Sequence, residues 1–264
     1  MIDFEQKPSY DISDLVEIVR VLRAPGGCPW DREQDHKSIR RNLLEEAYEV
    51  AEAIDEGSPE HLREELGDLL LQVVFHARME EEEGRGDLAA VADGICKKLI
   101  YRHPHVFGDG KAADSAEVLV NWDALKQKEK HQETAADSVD AVARSLPGLW
   151  RAEKVQKKAA KVGFDWDGVD GAMEKLREET DELQSAIREG SNISEELGDL
   201  LFAAVNVARF VDVDPETAMT AACDKFARRF RAVEEAASAQ GKELSAMTLA
   251  EMDALWDAVK QQEA

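Results

Sequence analysis

A seven-residue sequence, Glu-Glu-Leu-Gly-Asp-Leu-Leu, occurs twice in this chain, at residues 64–70 and again at residues 195–201. A second cluster of acidic residues precedes each copy at nearly the same distance: Glu45, Glu46 and Glu49 in the first half, and Glu178, Glu179 and Glu182 in the second. Internal repeats decide the architecture before any local pattern does. The repeat therefore predicts two homologous units, and its duplicated carboxylates indicate a duplicated metal site.

The duplication extends beyond the acidic clusters. Further matched residues follow in the same order in each half: Cys96, Lys98, Arg102 and Trp122 in the first, and Cys223, Lys225, Arg229 and Trp256 in the second. A polar segment near residues 129–138 lacks an apolar face and is the expected linker. In a chain of 264 residues we predict a first domain at 10–130, a linker at 131–146 and a second domain at 147–264.

Helical periodicity dominates the sequence, and no segment shows the alternation of apolar and polar residues that is typical of a strand. In the first half we predict helices over 12–23, 36–55, 59–83, 88–101 and 115–128. In the second half we predict helices over 149–161, 169–188, 193–211, 215–239 and 249–262. The predicted fold is all-α, with two tandem helical-bundle domains.

Charge and composition exclude several classes of function. The formal net charge of −23 argues against a nucleic-acid partner, because a phosphate backbone requires a basic surface. No apolar run approaches the roughly 20 residues of a membrane span, and the polar N-terminus has no signal-peptide core. The three cysteines lack zinc-site spacing, so we interpret them as reduced thiols of a cytoplasmic protein. We expect two of them, Cys96 and Cys223, to be small core residues.

On a helical wheel, acidic residues of each half fall at the edge of an apolar face, which on the first of these helices holds Leu43, Val50 and Ile54. Two helices that pack by such faces bring four carboxylates together along one rim: Glu46, Glu49, Glu65 and Asp68 in the first half, and Glu179, Glu182, Glu196 and Asp199 in the second. Glu45 and Glu178 point away from this rim.

Four carboxylates in one patch repel one another and raise one another's pKa unless a cation holds them. Ligation by oxygen alone suits Mg²⁺, with Mn²⁺ as a substitute, rather than zinc. The alternative interpretation is a solvated helix face in an acidic protein, and it is the better one for a single cluster. Recurrence of the same spacing on both helices of both halves favours the metal site.

The pattern Glu-Glu-x-x-Glu followed by Glu-x-x-Asp resembles the signature of the all-α nucleoside triphosphate pyrophosphohydrolases, and most closely that of the MazG family. The resemblance covers residues 11–263, including the segments 28–31, 101–107 and 225–230. It implies that a nucleoside triphosphate is hydrolysed to a monophosphate and pyrophosphate. It also implies that Mg²⁺ binds the second and third glutamates of the first motif and the Glu and Asp of the second. These are the same four carboxylates that the helical wheel brings together.

Basic residues recur in both halves as well. Lys98 and Arg102 lie four residues apart on one helical face, as do Lys225 and Arg229, and such pairs can receive phosphate oxygens. A pair of this kind is more often solvent-exposed or ion-paired. Its recurrence in an acidic chain balances the two interpretations, and the resemblance favours substrate binding.

Tryptophans are candidate contacts of a base, although their residue type alone favours a place in a helical core. Trp122 and Trp256 can stack on a base or pack in a helical core, and the resemblance favours a base contact for Trp256. Trp30 and Trp166 follow loop-like segments and can also line a base pocket.

The sequence contains no P-loop motif and no Ser-His-Asp or Cys-His arrangement for a covalent nucleophile. The expected chemistry is therefore metal-assisted attack by water. We predict catalytic roles for Glu178 and Glu182 in the second half and for Glu45 and Glu49 in the first, with Glu178 as a weaker candidate for orientation or proton transfer.

The prediction is thus a Mg²⁺-dependent nucleoside triphosphate pyrophosphohydrolase that forms a homodimer or a higher homo-oligomer, with no nucleic-acid or membrane partner. Two alternatives stay open from the sequence. One is a regulatory protein that senses nucleotides without hydrolysing them. The other is a hydrolase of dUTP or of phosphoribosyl-ATP, from the same superfamily.

Overall fold

The computed structural model describes residues 4–129 and 133–263, and its described residues form helices and connecting loops without a β-strand. The all-α prediction is confirmed. The chain divides into two units between Lys126 and Gln127. None of the described helices is both long enough and apolar enough to cross a bilayer.

The first unit contains seven helices among its described residues, the last of which runs across the division. They are α1 (Ile12–Arg23), α2 (Pro29–Glu33), α3 (Arg40–Glu56), α4 (Pro59–Glu82), α5 (Leu88–Arg102), α6 (Pro104–Phe107) and α7 (Ser115–Glu129). α4 is the central helix, because α1, α3 and α5 all pack against it. Its buried residues Val74, Phe75 and Met79 meet Val19 of α1 and Ile39 in one apolar core.

The second unit repeats the arrangement with further helices. They are α8 (Ala135–Asp140), α9 (Gly148–Ala160), α10 (Val169–Glu189), α11 (Ile193–Phe210), α12 (Pro215–Ala239) and α13 (Leu249–Gln262), with a 3₁₀ turn at Leu244–Ala246. α10 and α11 pack against each other, α9 packs on α11, and α12 packs on α9 and α13. The buried apolar positions of α10 and α11 are Ala172, Ala186, Ala203 and Val205.

The acidic helices of each unit form a helical hairpin whose turn begins with a glycine. α3 ends at Gly57, whose φ is 67°, and α10 ends at Gly190, whose φ is 68°. Both values lie in the left-handed region, which glycine adopts without the steric cost that a side chain brings. α4 then begins with Ser58 as N-cap and Pro59 in its first turn. The turn fixes how the two acidic helices of a unit face each other.

The structure differs from the predicted linker. Residues 131 and 132 lie outside the described residues, but the rest of the predicted segment 131–146 contains α8, which packs on α9. Thr134 caps this helix and forms a capping box with Asp137. The division between the units falls earlier than the predicted linker, within α7.

Two local predictions were wrong. α3 begins at Arg40 and not at residue 36, because the Asp35 carboxylate accepts the backbone N–H groups of Lys37 and Ser38 and holds a turn there. Cys96 and Cys223 are exposed and do not lie in a core.

Candidate metal centre in each unit

The α3–α4 hairpin brings three carboxylates of the first unit together. Oxygen atoms of Glu46, Glu49 and Glu65 lie within 4.8 Å of one another. Burial raises the pKa of Glu46 above its ordinary value, and the charges of Asp68, Glu49 and Glu65 raise it further. The four predicted carboxylates of this unit therefore act on one another electrostatically, with Glu46 at the centre.

The α10–α11 hairpin does the same in the second unit. Oxygen atoms of Glu179, Glu196 and Asp199 lie within 4.8 Å of one another. The fourth predicted carboxylate is Glu182, whose pKa is raised by its own burial and by the charge of Glu179. The fourth acid that stands outside the close group is thus Asp68 in the first unit and Glu182 in the second. Asp68 still interacts with the half-buried Glu46, and Glu182 with the buried Glu179.

Glu179 is the most deeply buried member of either cluster. The residue is only 5% exposed, and its Oε2 atom is buried without a hydrogen-bond partner. Burying a carboxylate oxygen without a hydrogen-bond partner destabilises the fold, because that oxygen loses its hydrating water and no protein donor replaces it. A hard divalent cation is the group that suits such an oxygen beside two further carboxylates. The donor set fits Mg²⁺ or Mn²⁺.

A lysine that the sequence analysis did not single out partly neutralises this cluster. Lys175 Nζ lies 2.7 Å from Glu179 Oε1 and 2.8 Å from Glu178 Oε1, one turn along α10. These two contacts raise the pKa of Lys175. The spacing of four residues between Lys175 and Glu179 could have identified this ion pair from the sequence. The first unit has Asn42 at the matching position, so its cluster lacks this cation.

In the first unit a histidine takes a comparable place on the other helix of the hairpin. His61 Nε2 lies 3.1 Å from Glu65 Oε1, and His61 Nδ1 lies 2.8 Å from Glu56 Oε2. The Glu56 contact is the main cause that raises the pKa of His61. Asn192 occupies the matching position of the second unit. The negative charge of the two clusters is therefore offset by different residues, Lys175 in the second unit and His61 in the first.

A cavity of about 510 Å³ opens at the second cluster. Its walls include Glu182 and Glu196 of the predicted ligands, together with Glu178. They also include residues that the sequence analysis did not name: Asp181, Ser185, Ala186, Glu189, Ser191 and Asn192. The last three belong to the end of α10 and the turn before α11, where Glu189 and Ser191 match Glu56 and Ser58 of the first half, so the repeat could have pointed to these two.

The two outward-pointing glutamates differ from the clustered ones. Glu45 and Glu178 are exposed, and each forms an ion pair with a basic residue of its own helix. Arg41 Nε donates to Glu45 over 2.7 Å, and Lys175 donates to Glu178 over 2.8 Å. Glu178 nevertheless lines the acidic cavity, so its carboxylate can reach a ligand there.

The predicted substrate-binding residues of the first unit contact one another. Arg102 is buried, and its guanidinium carbon lies 5.3 Å from the centre of the Trp122 ring. Trp122 also meets His103 edge to face, with ring centres 4.8 Å apart. Lys98, one turn earlier on α5, is half-buried. Arg102 and Trp122 therefore form a packed cation–π pair.

In the second unit, Arg229 is held by the residue that follows α13: its Nε donates to Glu263 Oε2 over 2.6 Å. Trp256 packs on Phe226, with ring centres 5.2 Å apart, and Lys225 is exposed. None of Lys225, Arg229 and Trp256 lines the acidic cavity. The structure thus gathers the acidic residues in one place and holds the basic and aromatic ones on α12 and α13.

Comparison with known proteins identifies relatives of the whole chain. Residues 34–107 and 168–233 each match the MazG nucleotide pyrophosphohydrolase domain. The chain is 45% identical over 257 residues to the nucleoside triphosphate pyrophosphohydrolase of Escherichia coli (strain K12), which covers 96% of this chain and 98% of that protein. It is 41% identical over 247 residues to the nucleoside triphosphate pyrophosphohydrolase/pyrophosphatase MazG of Thermotoga maritima, covering 94% of each. An uncharacterized protein of Bacillus subtilis, YabN, is 47% identical over 98% of this chain and 54% of its own length.

Proposed function

This chain belongs to the MazG nucleotide pyrophosphohydrolase family, and we propose that it hydrolyses nucleoside triphosphates to monophosphates and pyrophosphate. One observation supports the proposal most strongly. A carboxylate oxygen of Glu179 is buried without a partner inside a cluster of three acidic residues, beside a cavity that is large enough for a polyphosphate. The names of the relatives support the substrate class, and the acidic cluster supports the use of a divalent metal.

Magnesium would be held by Glu179, Glu182, Glu196 and Asp199 in the second unit, and by Glu46, Glu49, Glu65 and Asp68 in the first. When bound, it lowers the pKa of a water and offsets the negative charge of the phosphates. The positions of these carboxylates determine where the metal, and with it the reacting water, can bind. Glu179 is immobilised by its burial in the hairpin, whereas Glu182 faces the cavity and can orient a water.

The reaction joins a water oxygen to the α-phosphorus and breaks the bond between that phosphorus and the oxygen bridging to the β-phosphorus. Pyrophosphate leaves with the bridging oxygen, and one proton of the water must be accepted. Glu182 and the more exposed Glu178 are the acceptors within the cavity of the second unit, and Glu49 and Glu45 are their counterparts in the first.

The basic and aromatic residues complete the proposal. Lys225 and Arg229 bind phosphate oxygens of the substrate in the second unit, and Lys98 and Arg102 do so in the first. Trp256 and Trp122 are the corresponding base contacts. Arg229 must exchange its bond to Glu263 for the phosphate, because its side chain is engaged by that carboxylate in the structure.

A homodimer in the cytoplasm is part of the same proposal. α12 exposes Met219, Phe226 and Phe230, which are spaced along one face of the helix. α11 exposes Leu197 and Leu201 one turn apart. Large apolar side chains exposed at helical spacing are typical of a surface that packs against another helix. A second copy of this chain is the partner that fits the homo-oligomer prediction.

The proposal is tested by phosphorus NMR of a mixture of nucleoside triphosphates with Mg²⁺ in water enriched in ¹⁸O. The expected products are monophosphates and pyrophosphate, with the label in the monophosphate. Label in pyrophosphate places the attack on the β-phosphorus and contradicts the proposal. Bound but intact nucleotide indicates a sensor. The same assay is run with dUTP and with phosphoribosyl-ATP as separate substrates, and turnover of only one of these indicates a narrower hydrolase.

A further inference from the structure

The imidazole of His61 lies between two carboxylates of the α3–α4 hairpin. Its Nδ1 atom is 2.8 Å from Glu56 Oε2, and its Nε2 atom is 3.1 Å from Glu65 Oε1. Glu65 belongs to the proposed metal centre of the first unit, whereas Glu56 is the last residue of α3. Neither the repeat nor the proposed hydrolysis assigns a role to this histidine.

The contact with Glu56 determines which nitrogen of the ring is available to a ligand. An ionised carboxylate only accepts hydrogen bonds, so the proton of a neutral His61 ring lies on Nδ1 and is donated to Glu56. The Nε2 atom then presents a lone pair to a second acceptor, the Oε1 atom of Glu65. Two acceptors at this distance repel each other unless a cation joins them, and that cation is either a second proton on the ring or a metal ion.

The distance between the two acceptors matches that of two ligands of one metal ion. Neighbouring ligands of an octahedral ion with bonds of about 2.1 Å are about 3.0 Å apart. His61 Nε2 and Glu65 Oε1 are 3.1 Å apart. A histidine that binds a metal through one nitrogen usually donates its other N–H to a carboxylate, which orients the ring. Glu56 is the carboxylate that does this for His61.

The start of α4 holds His61 at the turn side of the acidic cluster. The backbone N–H of His61 donates to Oγ of the N-cap residue Ser58 over 3.3 Å. The Glu65 side chain is only 12% exposed, whereas that of His61 is 35% exposed, so an ion can reach the imidazole from solvent. Oxygens of Glu46, Glu49 and Glu65 form the close group of this cluster, and His61 joins them through Glu65.

The second unit has different chemistry at the same place. Asn192 and Glu189 match His61 and Glu56, and both line the acidic cavity beside Glu196. The matching positions of the second unit therefore face the space in which a ligand of the metal cluster lies. Asn192 has an amide and no nitrogen lone pair, so the ligands available to an ion there are oxygens only.

We propose that His61 is a metal ligand of the first unit and makes its centre selective for a transition metal ion. The inference rests on the proposed function, whose metal centre it extends by one residue. The lone pair of His61 Nε2 forms the bond to the ion, and a proton present on that nitrogen is released to water. An imidazole nitrogen is a better ligand for Mn²⁺ or Co²⁺ than for Mg²⁺, which takes oxygen ligands. The two units then differ in the ion that they prefer.

Electron spin echo spectroscopy of the full chain with Mn²⁺, without nucleotide, tests the proposal, because it detects nitrogen that is bound to the ion. Residues 147–264 contain no histidine, so the second acidic cluster cannot produce an imidazole signal. We expect a nitrogen signal from the wild type and its loss in His61→Asn, which introduces the residue of the second unit. His76→Val is the control, because it removes the other histidine of α4 and should keep the signal.

Calorimetric titration adds a measurement of selectivity. In His61→Asn one class of Mn²⁺ site should weaken about tenfold, whereas Mg²⁺ binding should stay within about twofold and shows that the variant is folded. Equal weakening for both ions, or none for either, overturns the proposal.

The spectroscopic outcomes separate this inference from the proposed function. Mn²⁺ bound to the wild type without a nitrogen signal overturns the inference and leaves a centre made of carboxylates alone. A nitrogen signal that persists in His61→Asn also overturns it, because the ligand is then another histidine. A wild type that binds no Mn²⁺ contradicts both the inference and the proposed metal centre. Because neither measurement requires turnover, both can be interpreted even if the chain hydrolyses no nucleotide.

Discussion

Lys175 Nζ lies 2.7 Å from the Oε1 atom of Glu179, so an internal cation already occupies one side of the most buried carboxylate of the proposed metal centre. The other oxygen of that carboxylate has no hydrogen-bond partner. One oxygen of Glu179 is therefore paired with the positive charge of Lys175, and the other oxygen is available to a divalent ion. The first unit has Asn42 at the matching position, and His61 Nε2 lies 3.1 Å from Glu65 Oε1 there instead.

Removing this cation should tighten metal binding in the second unit. In Lys175→Gln the divalent ion no longer competes with an ammonium group, and a screened ion pair of this kind is worth about 1 kcal/mol, or roughly fivefold in affinity. Calorimetric titration with Mn²⁺ measures the change. Lys157→Gln is the control, because Lys157 forms a similar pair with Glu153 over 2.7 Å on α9. Unchanged or weaker binding in Lys175→Gln contradicts this account of the pair.

Arg23 and Glu82 should determine how the first unit responds to acid. The side chain of Arg23 is only 6% exposed, donates to Glu82 Oε2 over 2.8 Å and lowers the pKa of Glu82 below its ordinary 4.5. A carboxylate with a lowered pKa stabilises the fold at pH above 4.5, and that stabilisation is lost as pH falls through the folded value. Glu82→Gln should therefore cost about 1–3 kcal/mol at pH 7 and less at pH 3.

Urea unfolding at the two pH values measures this difference. Glu81→Gln is the control, because Glu81 forms only an exposed contact of 2.9 Å with Arg78 and should change the free energy of unfolding little. A cost for Glu82→Gln that is the same at pH 7 and pH 3 rules out the electrostatic explanation.

His36 and His76 should make the first unit less stable in mild acid. Their Nδ1 atoms lie 2.8 Å apart, so one ring must donate and the other accept, and both cannot be charged without repulsion. Burial, and next the neighbouring His36, lower the pKa of His76 below its ordinary 6.5. The unfolded chain then takes up a proton that the folded one excludes, so stability falls as pH drops below 6.5.

His76→Val introduces the residue of the matching position, Val207, and should flatten this pH dependence between pH 8 and pH 5.5. The slope removed should be at most about 1.4 kcal/mol per pH unit, which is the limit for one proton. Urea unfolding across that range gives the slope. If the pH dependence persists in His76→Val, it arises from other titratable groups.

Freeing Arg229 from Glu263 should strengthen substrate binding in the second unit. The hydrogen bond from Arg229 is the main cause that lowers the pKa of Glu263, and the same bond must break before Arg229 can bind a phosphate. Glu263→Gln should therefore lower KM for a nucleoside triphosphate severalfold and leave kcat unchanged. Asp257→Asn, on the same helix and paired with Lys260 over 2.7 Å, is the control. A raised KM in Glu263→Gln would show that Glu263 is needed to hold Arg229 in place.

The periodicity of the sequence was enough to predict the long helices, since α1, α12 and α13 begin and end at the predicted residues. It also placed Glu46, Glu49 and Glu65 on facing edges, and the structure brings their oxygens within 4.8 Å. Both results depend only on spacing along a helix. The residues concerned are neighbours within one hairpin, so no distant contact had to be known.

Contacts between elements that are distant in sequence could not be predicted in this way. The bond between Arg229 and Glu263 joins α12 to the residue after α13. A helical wheel gives no information about how two such segments are placed relative to each other. Ile54 was expected to lie in a packed apolar face, yet it is 58% exposed and the neighbouring Ala53 is buried instead. The wheel gives the angle of a side chain around its helix, but not how far the facing helix covers it.

The central claim is that each unit holds its catalytic metal by its own carboxylates, and pyrophosphate release by Glu49→Gln, Glu182→Gln and the double variant tests it most directly. Both single variants keep the shape of the side chain and remove the charge. We expect each to lose the activity of its own unit and the double variant to lose at least 99% of the release, since a metal ligand is removed from both sites. Release by the double variant at the rate of the wild type would contradict the account.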